Sequence, residues 1–256
     1  MLKKLVKFFI VTNYFLIFSS VVHTQSIVHA ENKRLEGDKE GFSGNIQLGL
    51  NFVQNINDVL QSQNASQFQY VHKKHNFISV NALNLTIFNE SRIINDGFQH
   101  FRYGYKFSNR LTWEAFVQAQ YNEIIKIRGR YLTGTGPRFK ILDTKEDSIK
   151  VYFGVMYMPE YEEETTDIIN RHHRVSNMLS FGWPISDKIE IDLISYYQPD
   201  LARVSDFRVS SEFRISIQLI ERLSFNYSMA WFYDSYPPEG IRNVFYNIRN
   251  TLRFDL

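Results

Sequence analysis

The chain alternates apolar and polar residues with period two through runs of 11–14 residues, and few folds absorb such a pattern. Successive side chains of a β-strand point to opposite faces, so each run is a strand with one apolar and one polar face. Phe42, Ile46, Leu48, Leu50 and Phe52 share one parity, against Ser43, Asn45, Gln47 and Asn51. Leu111, Trp113, Ala115, Val117, Ala119 and Tyr121 alternate with Thr112, Glu114, Gln118 and Gln120. Phe207 to Leu219, Leu223 to Tyr233 and Val244 to Leu256 repeat the design. Strands of soluble proteins usually run about 5–6 residues. Strands that cross an outer membrane need about 9–11, tilted.

Twelve runs are expected: 42–53, 59–72, 75–88, 97–107, 110–122, 128–141, 147–158, 172–184, 188–198, 206–219, 222–234 and 243–256. Twelve is even, as a bacterial barrel requires. The second and third runs are the weakest, because 59–66 are polar and 77–88 carry apolar residues on both parities. The connections 54–58, 89–96, 123–127, 159–171, 199–205 and 235–242 are longer than the intervening ones in nearly every comparison. A barrel with both termini in the periplasm has that asymmetry, with short turns inside and longer loops outside. Ser108-Asn109, Asp143-Thr144 and Ser186-Asp187 supply turn chemistry to the short set.

Composition fits this geometry. The chain is 16% aromatic, with 22 Phe and 15 Tyr, yet its mean hydropathy is only −0.30. Sorting by parity resolves the contradiction, with the aromatics forming a coat on one face. Cysteine is absent, which excludes a disulfide framework, a Cys-ligated metal site and a lipoprotein anchor. A net charge of +2 gives no overall pull towards nucleic acid.

Residues 1–30 read as a cleaved signal peptide. Lys3, Lys4 and Lys7 precede a mostly apolar stretch from Phe8 to Val22, and Val28-His29-Ala30 offers a cleavage site. Cleavage after Ser26 is the second option. A membrane anchor helix is the competing reading, but the apolar stretch falls short of the ~20 residues a span needs. Removal leaves 26 basic against 27 acidic residues, a net charge of −1. Residues 31–40 form a charged, flexible lead-in, and 41–256 one barrel domain.

The polar parity would line the interior. It carries Arg102, Lys106, Glu114, Arg128, Arg130, Arg138, Lys150, Arg174, Glu190, Asp192, Arg208, Glu212, Arg214, Arg249 and Arg253, eleven basic and four acidic. Charges on a lipid face cost several kcal/mol near the midplane, so their confinement to one parity is informative. Two readings follow. One is a narrow, anion-preferring lumen that takes small anions. The other, favoured, is a packed network of Arg–carboxylate pairs that fills the interior. Strand number does not separate them, since twelve lies between filled and open barrels.

Signals for catalysis are thin. Glu162, Glu163 and Glu164 with His172-His173 have the residue types for a divalent cation, but adjacent residues of an extended chain point apart. His72 and His75 flank Lys73-Lys74 in a basic turn. Glu190 and Asp192 share a strand face, where Arg208, Glu212 and Arg214 make a charge network the simpler account. No nucleophile elbow is present. The glycines of Arg130-Tyr131-Leu132-Thr133-Gly134-Thr135-Gly136-Pro137-Arg138-Phe139 lack the lysine and helix of a phosphate loop. Gly134 and Gly136 make room for bulky inward neighbours or let the strand curve. No metal, cofactor or enzymatic activity is expected.

Several segments carry a family resemblance: Gly41-Phe42-Ser43-Gly44-Asn45, Arg130 to Phe139, Tyr196-Tyr197-Gln198-Pro199, Asp206-Phe207-Arg208 and Asp234-Ser235-Tyr236-Pro237-Pro238. In this order they resemble the YdiY-like family of bacterial secreted proteins, domain of unknown function 481. The resemblance implies an outer-membrane-type β-barrel and no activity. Such proteins commonly end in Phe, which the barrel-assembly machinery reads; this chain ends Phe254-Asp255-Leu256 and keeps the apolar parity at Leu256.

The expectation is therefore an all-β protein, a single antiparallel up-and-down transmembrane β-barrel of about 12 strands. Its partners would be outer-membrane lipid and the assembly machinery. A lipid-modifying outer-membrane enzyme and a soluble periplasmic β-sandwich binder are the alternatives.

Overall fold

The computed structural model describes residues 40–54, 56–144 and 149–254, with Arg253 and Phe254 by backbone alone. The expected signal peptide, most of the lead-in and the C-terminal Leu256 lie outside the described residues. Twelve strands follow one another: β1 (Gly41–Gln54), β2 (Asp58–His72), β3 (His75–Phe88), β4 (Ser91–Lys106), β5 (Leu111–Asn122), β6 (Ile127–Asp143), β7 (Lys150–Glu164), β8 (Ile169–Ser186), β9 (Ile189–Pro199), β10 (Phe207–Ile220), β11 (Leu223–Asp234) and β12 (Val244–Phe254). Each pairs antiparallel with the next in one up-and-down sheet. Among the described residues, β1 pairs only with β2 and β12 only with β11.

Parity decides burial, but in the sense opposite to a soluble protein. Along β5 the polar Glu114, Gln118, Gln120 and Asn122 are buried, while Trp113 and Val117 are 46% and 52% exposed. On β4, Arg102 is buried between the exposed Phe101 and Tyr103. An exposed large apolar residue is ordinary taken singly, but buried polar residues alternating with exposed apolar ones mark a sheet whose outside is the apolar side.

The sheet curls around its polar face. Arg208 on β10 reaches Glu160 and Glu162 on β7. Neighbouring strands lie about 4.8 Å apart, so side chains three strands apart meet only across a concave surface. At mid-height the inward face is packed with Phe116, Leu132, Met156, Met158, Met178, Ile194 and Tyr196. Arg102, Met156, Met178 and Tyr196, from four strands, border a void of about 10 Å³, room for about one water.

The paired glycines of β6 serve this packing. A Cβ on Gly134 would stand 2.2 Å from the Phe116 ring, and one on Gly136 would stand 2.0 Å from the Val155 carbonyl oxygen. The backbone of β7 and the ring of Phe116 occupy the space that side chains would need.

Two boundaries differ from the sequence expectation. The segment 89–96 is not a loop: Asn89 and Glu90 form the whole turn, with φ of 44° and 67°. A two-residue hairpin turn of that shape favours Asn-Gly, and a glutamate gives no such cue. The segment 159–171 is mostly strand, with β7 running to Glu164 and β8 starting at Ile169. The expected alternation of loop length shrinks accordingly. The long connections that remain, 200–206 and 235–243, both lie at the end opposite the short turns 73–74, 187–188 and 221–222.

Candidate functional site

The inward face near the long connections holds a network of buried charges. Parity places Glu160 and Glu162 on the inside of β7, and the register puts Arg130 of β6 opposite Glu162. Arg130 Nε donates to Glu162 Oε2 at 2.5 Å. Arg208 Nη1 donates to Glu160 Oε1 at 2.5 Å, its Nη2 to Glu162 Oε2 at 3.1 Å and its Nε to Asp234 Oδ2 at 2.7 Å. Arg174 of β8 lies 3.4 Å from Glu160 Oε2 through Nε and donates to Asp206 Oδ1 at 2.9 Å. It also donates to the carbonyls of Gln198 and Asp206. All of these side chains are buried. Removing one partner from a buried pair costs about 3–5 kcal/mol, because the other charge stays desolvated.

The connection 200–206 closes over this network. His172 Nδ1 lies 2.5 Å from Asp200 Oδ2, and Ala202 N–H donates to Asp200 Oδ1 at 2.7 Å. Arg203 donates to Asp206 Oδ2 at 2.9 Å. Burial pushes both aspartates up, but these bonds outweigh it. Ala202, His172 and Arg174 hold the Asp200 carboxyl below its ordinary value, and Arg203 and Arg174 do the same for Asp206. His172, Asp200 and Asp206 bring three ligand-type atoms within 4.8 Å of one another. Both Asp206 oxygens already accept from guanidinium groups, so a cation there would have to displace two arginines.

A second cluster sits lower. Arg102 Nη1 donates to Glu114 Oε2 at 3.3 Å, and its Nε to His100 Nε2 at 3.3 Å. Arginine can only donate, so Nε2 accepts and the imidazole proton is on Nδ1, where Gln118 Oε1 lies 2.9 Å away. Gln118 continues to Gln120 at 2.8 Å. Above it, Asn84 donates to the buried Asp96 at 2.9 Å.

Towards the short turns the interior opens. The register aligns Asp192, Arg214, Ser228 and Arg249 in one row across β9 to β12. Arg214 Nη2 lies 3.4 Å from Glu212 Oε1, and Glu190 is exposed. Glu190, Ser216, Gln218, Ser224 and Asn226 line a polar recess of about 630 Å³. Arg138 stands 3.8 Å over the Tyr152 ring. Arg253 pairs with Ser224 by backbone, and its side chain lies outside the described residues.

Of the residues assigned inward by parity, Arg128 is a correction. A register shift between Ile127 and Gly129 turns it out of the interior. It is exposed, bonded to Glu163 and Asp167 at 2.5 Å each. The basic excess of that parity does not extend to the fully buried charges. The buried acids are Asp96, Glu114, Glu160, Glu162, Glu164, Asp200, Asp206, Glu212 and Asp234, against buried Arg102, Arg130, Arg174 and Arg208. Glu160, Glu162 and Glu164 continue the even parity of Met156 and Met158, and that continuity was the available signal. The run Glu162-Glu163-Glu164 concealed it.

The chain is similar in shape to three solved porins. One is the NanC porin, at 10% identity over 77% of this chain and 94% of that one, with a TM-score of 0.47. Another is the KdgM porin, at 8% identity over 81% and 98%, with a TM-score of 0.42. The third is OccK11 (OpdR) of Pseudomonas aeruginosa, at 8% identity over 83% and 84%, with a TM-score of 0.33. Values this low do not bear on activity. No curated protein matches the chain. Residues 47–254 match the family described as "Protein of unknown function, DUF481", and the chain belongs to that family.

Proposed function

We propose that this is a non-enzymatic β-barrel protein of the bacterial outer membrane, with a structural role in the envelope and an interior closed by its own charges. The carrying observation is Arg208, which ties β10 to Glu160 and Glu162 on β7 and to Asp234 on β11. Such a strut spans the space a solute would cross. The apolar outer face and its long strands support placement in lipid. The barrel-assembly machinery is then the partner for insertion.

The polar recess at the short-turn end favours a second reading, a channel that conducts only when the network opens. Anion preference is not carried over to it, since acids outnumber arginines among the buried charges.

Fractionation and planar-bilayer recording test the proposal together. The expected result is outer-membrane protein that migrates differently boiled and unboiled and conducts almost nothing. A steady open conductance would overturn the plug. Recovery from the periplasm with no heat shift would overturn the membrane placement.

A further inference from the structure

The outer face is apolar almost everywhere, but β2, β3 and β4 interrupt it at mid-height. Ser62, Asn64, Ser66, Ser79, Asn81 and Gln99 share the outward parity of Tyr70, Phe77 and Phe101. The register sets Ser66, Asn81 and Gln99 in one row across three strands. Some other polar groups on this face settle locally. Ser195 and Ser211 bond each other at 2.7 Å, and Thr135 donates to the Glu114 carbonyl. In the interrupted region Asn81 donates to Ser66 at 3.0 Å, yet Gln99 is exposed and its carboxamide has no hydrogen-bond partner among the described residues. A lipid tail can satisfy none of the amide's donors or acceptors.

We infer that this patch is where a second copy of the chain docks, side by side in the membrane. The inference rests on the lipid-facing reading of the outer face. Carboxamides and hydroxyls both donate and accept, so the patch complements itself across a two-fold axis. Shape supports the same occupant. Ala119 stands opposite Gln99 and the Tyr121 ring lies over Gly97, beside a groove of about 450 Å³ with Leu83, Arg128 and Tyr131 on its walls. Small residues beside polar ones are what lets two membrane-embedded surfaces approach.

The test uses the absence of native cysteine. Gln99→Cys and Ala119→Cys are made singly in the full chain, with Leu193→Cys on β9 as control. Each protein is checked for its heat shift, reconstituted in phosphatidylethanolamine/phosphatidylglycerol bilayers and oxidised. The two patch variants are expected to form a cross-linked pair of chains and the control none. In the same bilayers the wild type is expected as a two-copy species, lost in Asn81→Leu/Gln99→Leu. A monomeric wild type, equal cross-linking at Leu193, or none at either patch position would overturn the inference. So would cross-linking to a different protein when the oxidation is done in native membranes. A protein lacking the heat shift would instead count against the membrane reading, before any cross-linking is scored.

Discussion

Arg208 on β10 donates to Glu160 on β7 at 2.5 Å, across two intervening strands. The bond exists only because the sheet is curled, so it reports on curvature. Arg208→Ala leaves Glu160, Glu162 and Asp234 facing one another without their shared cation. The expected loss is about 3–5 kcal/mol, read as a lower denaturant midpoint for unfolding. Bilayer recording of the same variant is expected to show conductance that the wild type lacks. Unchanged stability and silence would sink the strut.

The loop aspartates give a pH dependence with a defined sign. Asp200 and Asp206 have carboxyls held below their ordinary values, so the folded state binds fewer protons than the unfolded one. Their contribution is complete above the unfolded value of about 3.9 and is lost as pH falls through the lower folded values. Amide exchange at Leu201 and Asp206, whose N–H groups bond the His173 and Arg203 carbonyls, is expected to stay slow at neutral pH. It should accelerate, after correction for intrinsic rates, only below that carboxylate range. Loss of protection while the pH is still well above that range would count against the aspartates.

Two glycine substitutions separate close packing from mere presence of glycine. Gly136→Ala drives a methyl into the Val155 carbonyl, whereas a Cβ on Gly104 meets nothing closer than 3.4 Å. The first should cost about 1–3 kcal/mol and the second far less. Paired unfolding curves check this, and equal effects would count against the packing account of β6.

The outer face can be probed with one charge. Val117 is 52% exposed at the middle of β5. In lipid, Val117→Arg should cost about 2–4 kcal/mol and reduce the folded, heat-shifted fraction. A neutral result would point to a face in water.

Unpaired edges do not persist in hydrocarbon, so β1 and β12 are expected to lie against each other in the membrane. With Cys at Gln47 and a second Cys placed in turn along β12, a short bifunctional thiol reagent should bridge at one or two of positions Phe245, Asn247, Arg249 and Thr251, the inward parity of β12. It should not bridge to Tyr246 or Ile248. No bridge at any position would leave the sheet open.

Much of the fold was legible before any coordinates. The strands from Leu111, Leu223 and Val244 start where the parity begins, and Phe116 and Leu132 share the inward parity with polar neighbours. The candidate site was only half legible. Arg130, Arg174 and Arg208 could be assigned inward from their neighbours, but their partners Glu160 and Glu162 lay in a segment read as a loop. Arg128 was misplaced by a single bulge, since one inserted residue flips every side chain's face locally. Asp206 and Asp200 come from a connection, where no periodicity indicates direction.

By itself, then, the sequence determined the strand pattern and, in most runs, which face is apolar, because parity is a local property of an extended chain. Only the tertiary structure decided that Arg208 meets Glu160, that acids prevail among the buried charges, and that Ser66, Asn81 and Gln99 fall in one row at mid-height. These depend on curl, register and bulges, which are set by contacts between strands far apart in sequence.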